Sequence, residues 1–159
     1  MKHKIRPFIL ADKPAVMQIL RATPEFTPME VVVAEEVLDG FLEDPLGSGY
    51  HAVVAVVDST VMGYSLWGAT PLTDGTWDLY WIAVDRRAQG LGLGKALLAY
   101  TEEKVKEANC RMLLIETSGK PGYEKTGAFY LSQGYKVICD IADFYGTGDN
   151  KLIFQKLFK

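Results

Sequence analysis

Asp85-Arg86-Arg87-Ala88-Gln89-Gly90-Leu91-Gly92-Leu93-Gly94-Lys95-Ala96-Leu97-Leu98 is the stretch on which the reading of this chain turns. Three glycines alternate at positions 90, 92 and 94, two arginines precede them, and an apolar helical pattern follows at once. Just upstream, Trp77 to Val84 (WDLYWIAV) is aromatic and β-branched, the composition of a buried strand. A strand, a glycine-rich turn and a helix in succession present backbone N–H groups to phosphate. Glycine lets the backbone approach closely, and the first helical turn carries unpaired donors at a positive dipole end. A Walker A loop fails here, because Gln89 stands five residues before Gly94 where glycine is needed and Ala96 follows Lys95 where Ser or Thr is needed. The dinucleotide fingerprint GxGxxG fails as well, since Lys95 holds the third glycine's place after Gly90 and Gly92. The spacing that fits is Q/R-x-x-G-x-G/A, met by Gln89, Gly92 and Gly94. A plain connecting turn has the same composition, so the rest of the chain has to choose between the two.

With 159 residues, 48% of them hydrophobic, the chain suits one globular domain over residues 1–159 with a sizeable core. A net charge of −3 and a pI near 5.4 argue against non-specific nucleic-acid binding. No apolar run reaches the roughly 18 residues of a membrane span. The start, MKHKIRPFIL, has neither a long apolar core nor a small-residue cleavage site, so a cytoplasmic protein is expected. Cys110 and Cys139, the only cysteines, read as buried thiols rather than as a disulfide or a metal pair. His3 and His51 stand apart without ligand-like neighbours, and no metal site is expected.

Lys4 to Leu10 reads as a first strand, and Asp12 as the cap of a short helix carrying Val16, Ile19 and Leu20 on one face. Thr27-Pro28-Met29-Glu30 has the form of a capping box, and the helix after it spaces Val33, Val37, Leu38 and Phe41 for burial. Ala52 to Val57 and Val61 to Trp67 form a hairpin about Asp58-Ser59-Thr60. After the glycine loop, Leu93 to Ala108 is the longest periodic helix, with Leu97, Leu98, Thr101 and Val105 on one side. Arg111 to Thr117 is a buried strand, Pro121 to Gln133 contains a helix stopped by Gly134, and Tyr135–Ile141 and Leu152–Leu157 are the last strands. The predicted order is β-α-α-β-β-β-α-β-α-β-β. Leu152, Ile153 and Phe154 in the last strand suit either the core or the interface of a homodimer.

Two later stretches add to the glycine loop. Ala128-Phe129-Tyr130-Leu131-Ser132-Gln133-Gly134-Tyr135 resembles an A-x-x-F-Y-x-x-x-G-F/Y signature, and Asp143-Phe144-Tyr145-Gly146-Thr147-Gly148-Asp149 resembles a Y-Y-x-x-G-E/D-D loop between the last two strands. With Gln89, Gly92 and Gly94, these resemble the GNAT superfamily of acetyl-CoA-dependent N-acetyltransferases, and most closely its ribosomal-protein alanine N-acetyltransferase branch. The resemblance runs over essentially the whole chain. It implies a single-domain α/β (α+β) fold: a mixed sheet of about seven strands, flanked by about four helices and splayed between parallel strands 4 and 5.

The resemblance also implies roles. The backbone from Gly90 through Leu91, Gly92, Leu93 and Gly94 to Lys95 would bind the pyrophosphate of acetyl-CoA, with Gln89 shaping the loop. Ile82, Ala83 and Val84 would run beside the pantetheine arm, the Val84 amide meeting the thioester carbonyl. Lys95 and Arg87 read equally as phosphate-side charges and as solvated surface cations. Tyr130 would protonate the departing thiolate. Because a thiol with a pKa of about 8.5 leaves tolerably by itself, its loss should slow turnover rather than abolish it. Glu116 is the first candidate for the base and Asp78 the second. Phe26, Met29 and Tyr145 are candidates to line the acceptor site. No metal is required.

An α-amine with a pKa near 8 is roughly a tenth neutral at pH 7, whereas a lysine amine near 10.4 is neutral about one part in two thousand. A diffuse base therefore suits a peptide N-terminus or a weakly basic small amine. The segment Thr117 to Thr126 lacks the asparagine the branch carries there, so Tyr123 or Thr126 would substitute for it, or the contact is absent. Peptide and small-molecule acceptors stay level on this reading. The competing functions are a domain that only binds or senses acyl-CoA, and an unrelated nucleotide-binding α/β domain.

Overall fold

The computed structural model describes residues 2–158, so Met1 and Lys159 of the domain read over 1–159 lie outside the described residues. The elements follow the predicted order: β1 (His3–Pro7), α1 (Lys13–Ala22), α2 (Pro28–Glu43), β2 (Tyr50–Val57), β3 (Thr60–Ala69), β4 (Thr76–Val84), α3 (Leu93–Glu107), β5 (Met112–Ser118), α4 (Glu124–Ser132), β6 (Lys136–Gly146) and β7 (Asp149–Leu157), with short 3-10 turns at Leu10–Asp12 and Arg86–Ala88. All seven strands form one sheet in the order β1-β2-β3-β4-β5-β7-β6. Every neighbouring pair is antiparallel except β4 and β5.

The parallel pair is short. It runs from Thr76↔Met112 to Leu79↔Ile115 and stops. Beyond that point β4 stays on β3 from Trp81 to Val84, and β5 stays on β7 from Glu116 to Ser118. The separation begins at a bulge. Leu66 pairs with Trp81 and Trp67 with Leu79, which leaves Tyr80 as the extra residue of β4. A bulge bends its strand and raises its twist, and this one lies where the pairing with β5 ends. The predicted splay thus has a local cause in β4.

Each face of the sheet has its own core. Leu79, Leu97, Leu98, Val105, Leu113, Ile115, Tyr130 and Phe154 pack under α3 and α4. Val16, Leu20, Val31, Ala34, Leu38, Tyr64 and Leu66 pack under α1 and α2. The second helix pair reaches as far as β4, and the far end of that face carries no helix. No helix among the described residues is long and apolar enough to cross a membrane.

Several local expectations need correction. Strand β1 ends at Pro7 rather than Leu10. Asp12 stands at the start of α1, but its carboxylate does not cap the helix. It is buried and accepts hydrogen bonds from the Arg6 guanidinium at 2.7 and 2.8 Å and from the Ile9 N–H at 3.0 Å. The Thr27–Glu30 capping box does form. It is Val31, Ala34 and Leu38 of α2 that are buried, while Val33 is exposed and Val37 and Phe41 are only partly covered. That rotation follows from where the box places the first turn. Strand β7 is internal to the sheet and Phe154 is core, so β7 offers no edge to a second copy; the edges are β1 and β6. Cys110 is buried as expected, whereas Cys139 is only half-buried on β6.

The stretch Asp143 to Asp149 is not an open loop. Strand β6 continues to Gly146, and Thr147-Gly148 alone make the turn. Asp143, at φ +57°, absorbs the extra residues as a bulge; its N–H donates to Asn150 Oδ1 and its carboxylate accepts from the Gly148 N–H.

Candidate active site

A cleft of about 900 Å³ occupies the gap between β4 and β5 and opens on both faces of the sheet. One end is the turn into α3. Gly90 and Gly92 sit at φ +81° and +80°, a conformation that L side chains rarely adopt, and Gly92 is the N-cap of the helix. A Cβ at either position would meet nothing within 4 Å, so glycine here meets a backbone requirement and leaves the approach bare. The N–H groups of Gly90, Gly92, Leu93, Gly94 and Lys95 bond no acceptor among the described residues, whereas Leu91 N–H bonds Ala88 C=O. Five free donors at the start of a 15-residue helix make an anion site.

Gln89 lines the cleft, with its side-chain nitrogen 3.5 Å from Val84 C=O. Lys95 lines it with no ionic partner among the described residues, while Leu91 turns outward. Arg87 forms a two-pronged pair with Asp85 at 2.9 and 3.0 Å, which also holds the Asp85 carboxyl below its ordinary pKa. Its charge is therefore matched within the protein, and of the two cations read as phosphate-side charges Lys95 is the one unpaired among the described residues.

Strand β4 alternates its backbone groups between its two sides. Asp85 N–H bonds Met62 C=O at 2.7 Å, and the register Gly63↔Val84, Tyr64↔Ala83, Ser65↔Ile82 carries that phase back along the strand. Ala83 is thereby turned toward β3, and Ile82 and Val84 present N–H and C=O to the gap. Beyond Ile115 no strand fills that gap, so these groups face the cleft.

Tyr130 reaches the cleft from α4. Its ring belongs to the core, against Phe154 and Tyr135 at centroid distances of 5.5 and 5.9 Å, and the residue is 3% exposed. Its hydroxyl bonds no group among the described residues, yet it borders the cleft; the Tyr64 hydroxyl, in contrast, is sealed without a partner in the other core. Burial raises the Tyr130 phenol pKa, keeping it a proton donor at neutral pH. Core packing and a cleft-facing hydroxyl thus coexist in one residue, with Phe129 beside it on the wall.

The two carboxylates meet the cleft from the opposite face. Asp78 pairs with Leu114, Glu116 lies two residues beyond Leu114, and Lys151 pairs with Ser118, so all three side chains share one side of the sheet. Glu116 is half-exposed and paired with Lys151 Nζ at 3.1 Å. Asp78 accepts a hydrogen bond from the Thr70 hydroxyl. Its carboxyl pKa is raised, chiefly by burial and further by the charge of Glu116, while Thr70 and Lys151 oppose the shift.

Of the three acceptor-side candidates, Phe26 and Tyr145 line the cleft and Met29 does not. Met29 is 69% exposed, because the capping box turns the first residues of α2 to solvent. Tyr123 donates its hydroxyl hydrogen to Glu25 C=O at 2.7 Å, so that hydroxyl is committed elsewhere than the cofactor arm; Thr126 lines the cleft. Glu25, Glu30 and Tyr80 also line it and were not singled out in the sequence. Lys151 was not singled out either: it lies before the predicted last strand, and the register of β7 on β5 is what places it on the face of Glu116.

A strand-4/strand-5 splay with free amides at its mouth and a buried tyrosine at its wall defines a class of protein, and comparison agrees. The chain belongs to the acetyltransferase (GNAT) family, whose pattern matches residues 14–135. It is similar to a protein of Desulfovibrio desulfuricans assigned to the GNAT acetyltransferases, with 39% identity, a TM-score of 0.94, and coverage of 98% of this chain and 99% of that one. Two likenesses are of fold alone. One is to the ribosomal-protein-alanine N-acetyltransferase of Brucella melitensis, at 24% identity and TM-score 0.76, over 98% and 99% of the two chains. The other is to the PaiA N-acetyltransferase of Thermoplasma acidophilum, solved with coenzyme A, at 16% and 0.77, over 99% and 100%. No curated protein matches the sequence. Membership makes this chain an N-acetyltransferase, and the cosubstrate of its family is acetyl-CoA.

Proposed function

We propose that the cleft binds acetyl-CoA and delivers its acetyl group to a primary amine, a small molecule or a peptide N-terminus. The observation that carries this is the line of unpaired backbone donors from Lys95 back to Gly90, continued by the gap-facing polar groups of Val84 and Ile82. A pyrophosphate fits the first set, and an amide-bearing arm fits the second as an added strand would. Bound there, acetyl-CoA supplies a thioester acetyl that an amine takes up directly, the carbon–sulfur bond breaking as the carbon–nitrogen bond forms.

The side chains handle the protons. The Tyr130 hydroxyl holds one for the departing sulfur. Asp78 is the stronger candidate to take one from the attacking ammonium, directly or through water, because burial raises its pKa and it has no cation within salt-bridge distance among the described residues, while Glu116 is engaged with Lys151. The Val84 N–H is the donor offered to the acetyl oxygen. The two free thiols, Cys110 and Cys139, suit a reducing cytoplasmic setting.

The test is turnover of acetyl-CoA, followed by free-thiol release, against short peptides of varied first residue, amino acids, aliphatic amines and aminoglycosides. Stabilisation by acetyl-CoA but not by ATP or NAD, with turnover on at least one amine, is the expected result. Stabilisation without turnover would make the protein an acyl-CoA sensor, and no stabilisation would remove the cofactor assignment.

A further inference from the structure

Charge is divided across the cleft. Lys95 and Lys125 reach it from α3 and α4, on the face where the free amides lie. From the other face come four carboxylates, those of Glu25, Glu30, Asp78 and Glu116. Only Glu116 among these four has a cation within salt-bridge distance among the described residues, namely Lys151. The acids converge on one region: the charges of Glu25 and Glu30 add to burial in raising the Tyr123 phenol, and those of Glu116 and Glu30 do so at Tyr145. Aromatic rings stand among them, with Phe26, Tyr80, Tyr123 and Tyr145 all on the lining. Carboxylates interleaved with ring faces favour an ammonium group.

The number of acids exceeds what one amine needs. The attacking nitrogen must be neutral when it reacts, so Asp78 and Glu116 suffice to receive its proton and settle it. Glu30 gives one carboxylate oxygen to the Thr27 N–H of the capping box; its other oxygen and the Glu25 carboxylate, which bond nothing among the described residues, are left for a second cationic group on the same molecule. The compartment is also bounded. The Tyr123–Glu25 hydrogen bond ties the β5–α4 connection to the α1–α2 connection, the two segments that flank this end of the cleft. Tyr145 stands on a hairpin held by Asp143, Asn150 and the Ser118–Asp149 contact, a fixed wall. The unbonded hydroxyl of the buried Tyr130 marks the reacting end.

We infer that the acceptor is a compact aliphatic diamine or polyamine, whose non-reacting ammonium is held by Glu25 and Glu30 among the rings of Phe26 and Tyr145. The inference rests on the transferase reading and narrows its substrate class.

The test compares kcat/KM for 1,4-diaminobutane, spermidine, n-butylamine and a neutral tripeptide with N-terminal Ala, at low and high salt. The diamine and the triamine should exceed butylamine and the tripeptide by at least about ten-fold, the scale of a charge-assisted contact, and the excess should shrink with salt. The double variant Glu25→Gln/Glu30→Gln should bring that ratio down to within about three-fold. Glutamine at position 30 can still accept the Thr27 N–H, so the capping box survives. Equal use of mono- and diamine, preference for the tripeptide, or an unchanged ratio in the double variant would overturn the inference. The salt dependence of the unmutated enzyme decides the matter if the variant does not fold. An enzyme that acetyl-CoA stabilises and that acetylates butylamine as well as the diamine sinks this inference alone. A protein that acetyl-CoA does not stabilise sinks the transferase reading with it.

Discussion

Tyr123 donates its hydroxyl hydrogen to the backbone oxygen of Glu25 at 2.7 Å, joining two segments 98 residues apart across the acceptor end of the cleft. Both segments are connections between elements, and this bond ties one directly to the other. Tyr123→Phe should cost about 1 kcal/mol of stability, the net worth of such a bond. The acceptor KM should rise several-fold, with a smaller change for acetyl-CoA, whose amides lie on α3. Denaturant melts and steady-state kinetics measure the two effects; an unchanged acceptor KM would make the bond purely structural.

At the opposite end, Gly92→Glu places a side chain at φ +80° and a carboxylate beside the free amides. The backbone penalty is about 1 kcal/mol, which the domain should survive. The added charge and bulk occupy the anion site, so acetyl-CoA should no longer raise the melting temperature. Retained stabilisation in a folded variant would dismiss the loop as the phosphate site.

Tyr130→Phe keeps the ring against Phe154 and Tyr135 and removes only a hydroxyl that bonds no group among the described residues. Stability and acetyl-CoA affinity should hold, while kcat falls by about 10- to 100-fold, at or below the bottom of the usual range for a lost proton donor because a thiolate leaves tolerably unaided. Full activity would assign Tyr130 to packing alone.

The two carboxylates separate by pH. Burial raises the Asp78 pKa, so the acid limb of kcat/KM should have its midpoint above the ordinary aspartate value and should vanish in Asp78→Asn rather than in Glu116→Gln. Stability provides a second sign. A folded carboxyl with a raised pKa binds its proton more tightly than the unfolded one, so stability falls as pH climbs from the unfolded value through the folded one. Asp78→Asn should therefore be neutral or stabilising at pH 7. A marked loss of stability there would show that the ionised Asp78–Thr70 contact outweighs its burial.

Lys156 holds the buried Glu102 at 3.0 and 3.1 Å, alongside the Tyr135 hydroxyl at 2.7 Å. Lys156→Met leaves that carboxylate buried with one partner. The expected cost is about 2–3 kcal/mol, below the range for a fully buried pair because Lys156 is partly exposed. That corresponds to a drop of roughly 5–10 °C in Tm. A drop within about 1 °C would mean that water replaces the lysine.

How much could be read beforehand depended on the range of the physics. Element order, the free-amide turn at Gly90–Gly94 and the placing of Tyr130 on a helix before Gly134 are local matters, set by periodicity, by left-handed glycines and by caps. They were legible in the residues. The strand after Asp143 was not, because its continuation depends on a bulge stabilised by Asn150, seven residues on. Met29 was drawn into the site by its neighbours in sequence, and the capping box turns it out.

Sequence by itself determined the order of the elements and the donors that face an anion, since both follow from backbone conformation over a few residues. Tertiary structure alone decided which charges are free. Glu116 is spent on Lys151 and the Tyr123 hydroxyl on Glu25, pairings set by strand register and chain crossing. The chemistry of the acceptor end is what those pairings leave over, because an ionic or hydrogen-bonding group acts on a ligand only where the fold has not already satisfied it.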